Sequence, residues 1–238
     1  EFIGHLMNIR TKKNGYEGSI EFFNNYANKK TLELVLDEDP IVISTTNKIA
    51  KVVNESNYNE LDEKEYNYYA KITGNIKARP VDETVKLKYG TKVMIAANSD
   101  QYKNGQIGYV VDFIGDKMVK VLLDDETSIM VTPFKWEEIE YDVNNGKLAR
   151  SVSGSYEQLP IKYGWGITIH KAQGQTLSNA IIDIGNGAFC HGQTYVALSR
   201  LKSLDGMALM TKLKFRDVIV DKRVQEFYKN GCKGSSLF

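Results

Sequence analysis

The chain has 238 residues, of which 42% are hydrophobic and 26% charged, and a formal net charge of +1. That is the profile of a globular protein able to bury one large core or two small ones. No apolar run approaches the roughly 20 residues a membrane-spanning helix needs, and no basic-then-apolar leader is present, so an intracellular, cytoplasmic protein away from membranes is expected. Near-neutral charge excludes a global basic field, and any nucleic-acid binding has to come from a local groove.

The first residue is Glu1 rather than methionine, which points to a segment of something longer. Phe2, Leu6 and Ile9 recur at helical spacing over residues 1–10. Ile20, Phe23 and Ala27 do so over 18–28, and both stretches are expected to be short amphipathic helices. Pro40 to Ser44 reads as a buried strand, followed by Thr45-Thr46-Asn47 and a helical run from Lys48 to Leu61. Thr46 or Asn47 suits the N-cap, because either side chain can accept an orphan backbone amide. A strand leading directly into a capped helix is the βα unit of a parallel sheet. Acidic runs at Asp37-Glu38-Asp39, Asp62-Glu63 and Asp124-Asp125-Glu126 read as solvated faces and turns.

The texture changes after about Val85. Alternating runs at 91–96, 108–114, 119–123 and 128–132 are broken by Asn104-Gly105, Gly115-Asp116 and Asp124-Asp125, the spacing of a small antiparallel barrel. Asn144-Asn145-Gly146 and Ser151 to Ser155 are expected to form the return loop. The run from Val119 to Glu126 imitates the apolar strand and acidic pair that hold magnesium in phosphate-loop ATPases. It lies inside the β-rich stretch with no phosphate loop before it, and a strand ending in an acidic turn accounts for it better. No Gly-x-x-x-x-Gly-Lys-Ser/Thr occurs anywhere in the chain. The economical organisation is an α/β domain in two segments, 1–84 and 159–238, interrupted by a β-rich insert at 85–158.

The densest polar chemistry comes late. Ile167-Thr168-Ile169-His170-Lys171-Ala172-Gln173-Gly174-Gln175-Thr176 follows a run with helical spacing from Tyr163, and Gly174 is placed to end that helix. Ala180 to Ile184 reads as a strand. Gly192-Gln193-Thr194-Tyr195-Val196-Ala197-Leu198-Ser199-Arg200 is then a second helix, with Tyr195, Leu198 and Leu201 on one buried stripe. Hydroxyl, imidazole, ammonium and amide groups gathered over so few residues suit a phosphate- or base-contacting surface better than a core. His170 or Arg200 alone would read as an ordinary surface residue. Arginine presents a bidentate fork to phosphate oxygens. Cys190 and Cys232 make no disulfide framework, and the three histidines show no metal-ligand spacing with them, so no metal site is expected.

Taken together, the strings 167–176 and 192–200 resemble motifs V and VI of superfamily 1 DNA helicases. The similar branch is the 5′-to-3′ translocating one, superfamily 1B, of the Pif and RecD kind. Ile41-Val42-Ile43-Ser44-Thr45-Thr46-Asn47 is similar to that family's earlier strand-to-helix segment. Leu87 to Met94, with Asn104-Gly105 and Gly108, resembles the start of its inserted barrel.

The resemblance implies a second RecA-like domain with a parallel sheet, interrupted by a small SH3-like β-barrel. It implies that Arg200 is the arginine finger of an ATP site and that Gln173 and Gly174 line the same cleft. Thr45, Thr46, Asn47, Thr168, His170 and Lys171 would face single-stranded DNA, and the Lys103-Asn104-Gly105 turn would guide the strand or serve as a plain hairpin. ATP and Mg²⁺ are the implied cofactors of the full-length protein. The phosphate-loop lysine and magnesium-binding carboxylates belong to a first RecA-like domain that this chain lacks. The fragment alone is therefore expected to be inactive, with that domain and single-stranded DNA as its partners. A non-catalytic nucleic-acid-binding module from a split or decayed helicase gene is the alternative. A third possibility is fusion of the same architecture to a relaxase or nuclease.

Overall fold

The computed structural model describes residues 1–13, 15–26, 29–36, 39–144 and 147–229. Ala27, Asp37, Glu38, Asn145, Gly146 and Cys232, which figure in the expectations above, lie outside them. In chain order the elements begin with α1 (Phe2–Thr11), α2 (Tyr16–Tyr26), α3 (Lys29–Leu36), β1 (Ile41–Ser44) and α4 (Asn47–Glu60). Strands follow as β2 (Tyr66–Tyr69), β3 (Lys71–Gly74), β4 (Thr84–Leu87), β5 (Lys92–Ile95), β6 (Ile107–Ile114), β7 (Met118–Leu123), β8 (Ser128–Val131), β9 (Phe134–Asn144), β10 (Lys147–Gln158) and β11 (Ile161–Tyr163). The chain closes with β12 (Gly166–Thr168), β13 (Ala180–Asp183), α5 (Gln193–Leu198), β14 (Met207–Leu209) and α6 (Lys222–Lys229).

Two compact units emerge, one made of Glu1–Val53 with Trp165–Phe238 and the other of Asn54–Gly164. The expected borders at 84/85 and 158/159 fall inside the second unit. The reason is strand pairing: β2 pairs antiparallel with β4, and β3 pairs with β10. Residues 66–74 therefore complete the sheets of the β-rich unit.

The first unit is α/β. Its sheet has the order β12-β1-β13-β14, and every pairing is parallel. All four residues of β1 are buried, as expected of a parallel strand. The two N-terminal helices form close to the expected residues, burying Leu6 and Ile9 on α1 and Ile20 and Phe23 on α2. Helix α3 was not foreseen; Leu32 and Val35 pack with Val42, Ile181 and Ala208.

The largest departure is at 163–173, where the helical spacing is misleading. Residues 166–168 instead form β12, with Ser44 opposite Thr168. Gly166 explains the placement, because a Cβ there would lie 2.8 Å from the Ala50 carbonyl oxygen. Only glycine lets the strand lie that close to α4, and the β-branched Ile167-Thr168-Ile169 favours extended backbone. The helix-like character is confined to a turn, where Lys171 and Ala172 donate to the Thr168 carbonyl.

In the second unit the four expected strands appear as β5 to β8. The five-stranded sheet runs β11-β5-β6-β7-β8, with every pairing antiparallel. Its faces bury Leu87, Val93, Ile95, Val110, Val119, Val121 and Ile161. Residues 151–155 are not a return loop. They belong to β10, which bulges between Val152 and Gly154. A Cβ on Gly154 would sit 2.5 Å from the Asn75 backbone, so the glycine marks a close strand crossing. The acidic decoy is a strand and turn: β7 ends at Leu123, and Thr127 donates to the Asp125 carboxylate at 3.0 Å.

Candidate functional site at the carboxyl edge of the sheet

The carboxyl ends of β12, β1 and β13 bring three sequence-distant segments side by side. Ser44 stands in register with Thr168 on one side and Asp183 on the other. In open α/β sheets this edge is where ligands bind. The Thr46 hydroxyl accepts the Ile49 amide at 3.4 Å, which makes Thr46 the cap of α4, and Asn47 is exposed at the first turn. The helix thereby presents orphan amides to the edge. Thr45 is buried, and its hydroxyl donates to the Ile184 carbonyl at 3.2 Å. It ties β1 to the loop after β13.

The neighbouring segment divides in the same way. Thr168 is buried at the end of β12, whereas His170 and Lys171 are exposed on the following turn. The Ile169 amide donates to the Ser44 carbonyl at 2.9 Å. Of the six residues expected to face a strand, four have their side chains at the surface or partly so. Thr45 and Thr168 are buried.

Beyond the turn, Gln173 and Gly174 are exposed, and Gly174 holds φ +80°. That left-handed backbone suits glycine and lets the chain reverse toward the second motif. There Arg200, partly buried just after α5, makes three contacts: Nε to the Val196 carbonyl (3.1 Å), NH1 to the Gln175 carbonyl (3.0 Å) and NH2 to the Ser199 hydroxyl (3.0 Å). Backbone bonds reinforce the meeting, with the Leu177 amide donating to the Arg200 carbonyl and the Lys202 amide to that of Leu177. A guanidinium has five N–H donors, so donors remain over for an anion.

Helix α5 is only six residues long and depends on its surroundings. Ala197 and Leu198 are fully buried, and Tyr195 is partly so. Gln193 is buried too. Its Oε1 accepts the Phe189 amide at 3.0 Å, while its Nε2 has no hydrogen-bond partner among the described residues. Asp217 was not singled out in the sequence, where it is one acidic residue among 30 Asp and Glu. It is buried, takes the Ala188 and Lys214 amides on its carboxylate, and accepts the Thr194 hydroxyl on its carbonyl.

In the second unit, the Lys103-Asn104-Gly105 turn is closed by Asn104 donating to Asn98 Oδ1 at 2.8 Å, with Gly105 at φ +92°. Among the described residues no group of three His, Cys, Asp or Glu side chains could hold a metal ion, and no helix is long and apolar enough to cross a membrane.

No family model matches the chain, but individual proteins do. The ATP-dependent DNA helicase Pif1 of Bdellovibrio bacteriovorus is 32% identical over 204 residues, covering 81% of this chain and 44% of that protein. The human ATP-dependent DNA helicase PIF1 is 34% identical over 165 residues, covering 66% of this chain and 24% of its own length. Unliganded Pif1 from Bacteroides sp superposes with a TM-score of 0.82 at 27% identity, over 96% of this chain and 53% of that one. A Bacteroides Pif1 complex with ADP-AlF3 and ssDNA superposes with a TM-score of 0.77. The chain thus spans between 24% and 53% of the length of these relatives.

Proposed function

We propose that this chain, which belongs with the Pif1-like helicases of superfamily 1B and corresponds to their C-terminal half, is the part of an ATP-dependent DNA helicase that grips single-stranded DNA and completes the ATP site. The two domain segments around a small β insert would be its second RecA-like domain and an SH3-like module, and 5′-to-3′ movement would follow from the family. One observation carries the reading: the Arg200 guanidinium is fastened to the Gln175 carbonyl. The end of motif VI and the exposed Gln173-Gly174 turn thereby form one local structure.

Arg200 would be the arginine finger. Its donors not used by Val196, Gln175 and Ser199 would meet charge developing on the transferred phosphoryl group. Gln173 and Gly174 would line the same cleft. ATP would supply the phosphoryl group, and Mg²⁺ would neutralise its charge. The ligands for that metal would belong to the companion RecA-like domain, and the chain alone would not hydrolyse ATP. His170 and Lys171, one turn before Gln173, would contact DNA phosphates with Thr46, Asn47 and the amides of α4; Thr45 and Thr168 would hold those elements in place. A change at the nucleotide then has a short path to the DNA grip, through residues 170–175.

The test is DNA-stimulated ATP hydrolysis by the full-length protein beside its Arg200→Ala variant and the isolated chain. Activity in the unaltered full-length protein alone is expected. A folded full-length protein that binds DNA but hydrolyses nothing would support the non-catalytic module instead.

A further inference from the structure

The carboxyl edge continues past the candidate site, and there it changes character. Beyond Thr45 and Ile184, the loop after β13 carries Phe189, and the segment after β14 carries Met210 and Phe215. These three are 60%, 46% and 55% exposed. Around Phe215 the chain reads Lys212-Leu213-Lys214-Phe215-Arg216-Asp217, and Lys212, Lys214 and Arg216 are all exposed.

The two loops are fastened to each other. The buried Asp217 carboxylate takes the amides of Ala188 and Lys214, and Arg216 NH2 reaches the Asn186 carbonyl at 3.2 Å. Gly187 is required at the junction, since a Cβ would lie 2.9 Å from the Asp217 carboxylate and its φ is +125°. Gln193 holds the Phe189 amide. Tyr16 packs edge-on to Phe215 with ring centroids 6.5 Å apart, and Lys12 lies over the Tyr16 ring at 5.3 Å. The acidic side chains here include Asp217, consumed internally, Glu17, exposed beside Tyr16, Asp183, which takes the Gly185 amide at 2.8 Å, and Asp221, which is paired with Arg223 at 2.6 Å.

We infer that Phe189 and Phe215, flanked by Lys212, Lys214 and Arg216, form a second platform for single-stranded DNA, on which unpaired bases stack while the cations take the phosphates. Exposed aromatics interleaved with cations and set on fixed loops are what sequence-tolerant strand binding requires. Position supports the same occupant. The platform loops leave β13 and β14, two and three strands along the sheet from β12, which leads into His170. A purely apolar partner would gain nothing from three cations beside the rings. The inference rests on the DNA-gripping role proposed above and extends its footprint.

The experiment uses the full-length protein with oligo-dT strands carrying 2-aminopurine at single positions. Phe215→Ala and Phe189→Ala are expected to weaken binding about 5- to 100-fold each, and to abolish the fluorescence change at one or two positions only. Phe215→Tyr should restore both, and Phe215→Leu neither. Replacing Lys214 and Arg216 together with Gln should reduce the salt slope by about 0.7 per cation. Thermal melts of the variants should match the parent. Unchanged affinity, slope and fluorescence in folded variants would overturn the platform while leaving the grip at His170 standing. A parent that fails to bind any single strand would instead overturn the proposed function. Intact DNA binding with altered self-association in sedimentation would assign the face to a protein partner, and would equally overturn the inference.

Discussion

Arg200 donates from NH1 to the Gln175 carbonyl at 3.0 Å, so two motifs separated by a strand end in one hydrogen bond. The bond ties the guanidinium to a backbone position one residue past Gly174. Arg200→Ala in the full-length protein is therefore expected to lower DNA-stimulated ATP turnover by about 10³-fold or more, while affinity for single-stranded DNA changes little. Arg200→Lys should recover little, because an ammonium cannot hold Val196, Gln175 and Ser199 together in one planar fork. Steady-state hydrolysis and fluorescence anisotropy on the same preparations separate the two effects. Parallel loss of both would make Arg200 a structural residue.

Gly166 should be close to irreplaceable. A Cβ would stand 2.8 Å from the Ala50 carbonyl oxygen and 3.1 Å from the Val53 Cβ, and neither neighbour is the end of a flexible side chain. Gly166→Ala is expected to destabilise by about 1–3 kcal/mol through overpacking, read as a lower urea midpoint at unchanged slope. An unaltered midpoint would show that β12 and α4 can separate without cost.

The contrast between these positions shows what could be read from the chain. The β1–α4 unit was legible because a buried strand, a threonine cap and a helical run are all local signals. The strands at 107–114 and 118–123 were legible for the same reason. The apolar spacing of the run from Tyr163 fits either a helix or a strand, and what decides between them is the non-local approach of Gly166 to Ala50. Residues 66–74 find their pairing partners at 84–87 and 154–157, which sequence proximity does not indicate. Candidate site residues were legible as motifs, but which of them reach the surface was not. Thr45 and Thr168 look like Thr46 in sequence, and their burial depends on register with β13 and β1. Asp217 carries little local signal, because only Lys214 is near it in sequence while Ala188 and Thr194 come from the loop and helix after β13.

Arg10 makes a contact no motif announces. Its guanidinium lies 5.2 Å from the Tyr195 ring centroid and 5.4 Å from that of Tyr228, bracing α1, α5 and α6 together. Each such contact contributes about 0.5–1 kcal/mol at exposed sites. Arg10→Ala should lower stability by roughly 1 kcal/mol, and Arg10→Lys by less, in denaturant titrations. Tyr195→Leu should remove about half of the difference between arginine and alanine at position 10, because the Tyr228 contact remains. A full effect of Arg10→Ala in the Tyr195→Leu background would rule out the pairing as the source.

The β-rich unit carries an ionisable cluster with opposite consequences at the two ends of the pH scale. Tyr58 and Tyr163 stack with centroids 5.0 Å apart, and the Tyr58 hydroxyl donates to Glu65 at 3.1 Å. Burial pushes the Tyr163 phenol up to about 12 and Tyr58 further in the same direction. Both phenols stay neutral in the folded state at pH values where unfolded tyrosines, near ~10, have begun to ionise. Their contribution is complete below that value and falls away as pH rises toward 12 and beyond. Glu65 behaves the other way, since the Tyr58 hydroxyl holds its carboxyl below the ordinary value. That contribution is present above about pH 4.3 and is lost as acid titrates the folded carboxylate. Melting temperature should thus decline above pH 10 and below pH 4. Tyr58→Phe is expected to soften the alkaline decline, while carbon-detected titration shows the Glu65 carboxyl returning toward its ordinary pKa. An unchanged Glu65 titration in that variant would mean that Asn67 and Lys86, its other neighbours, set the carboxyl rather than the phenol.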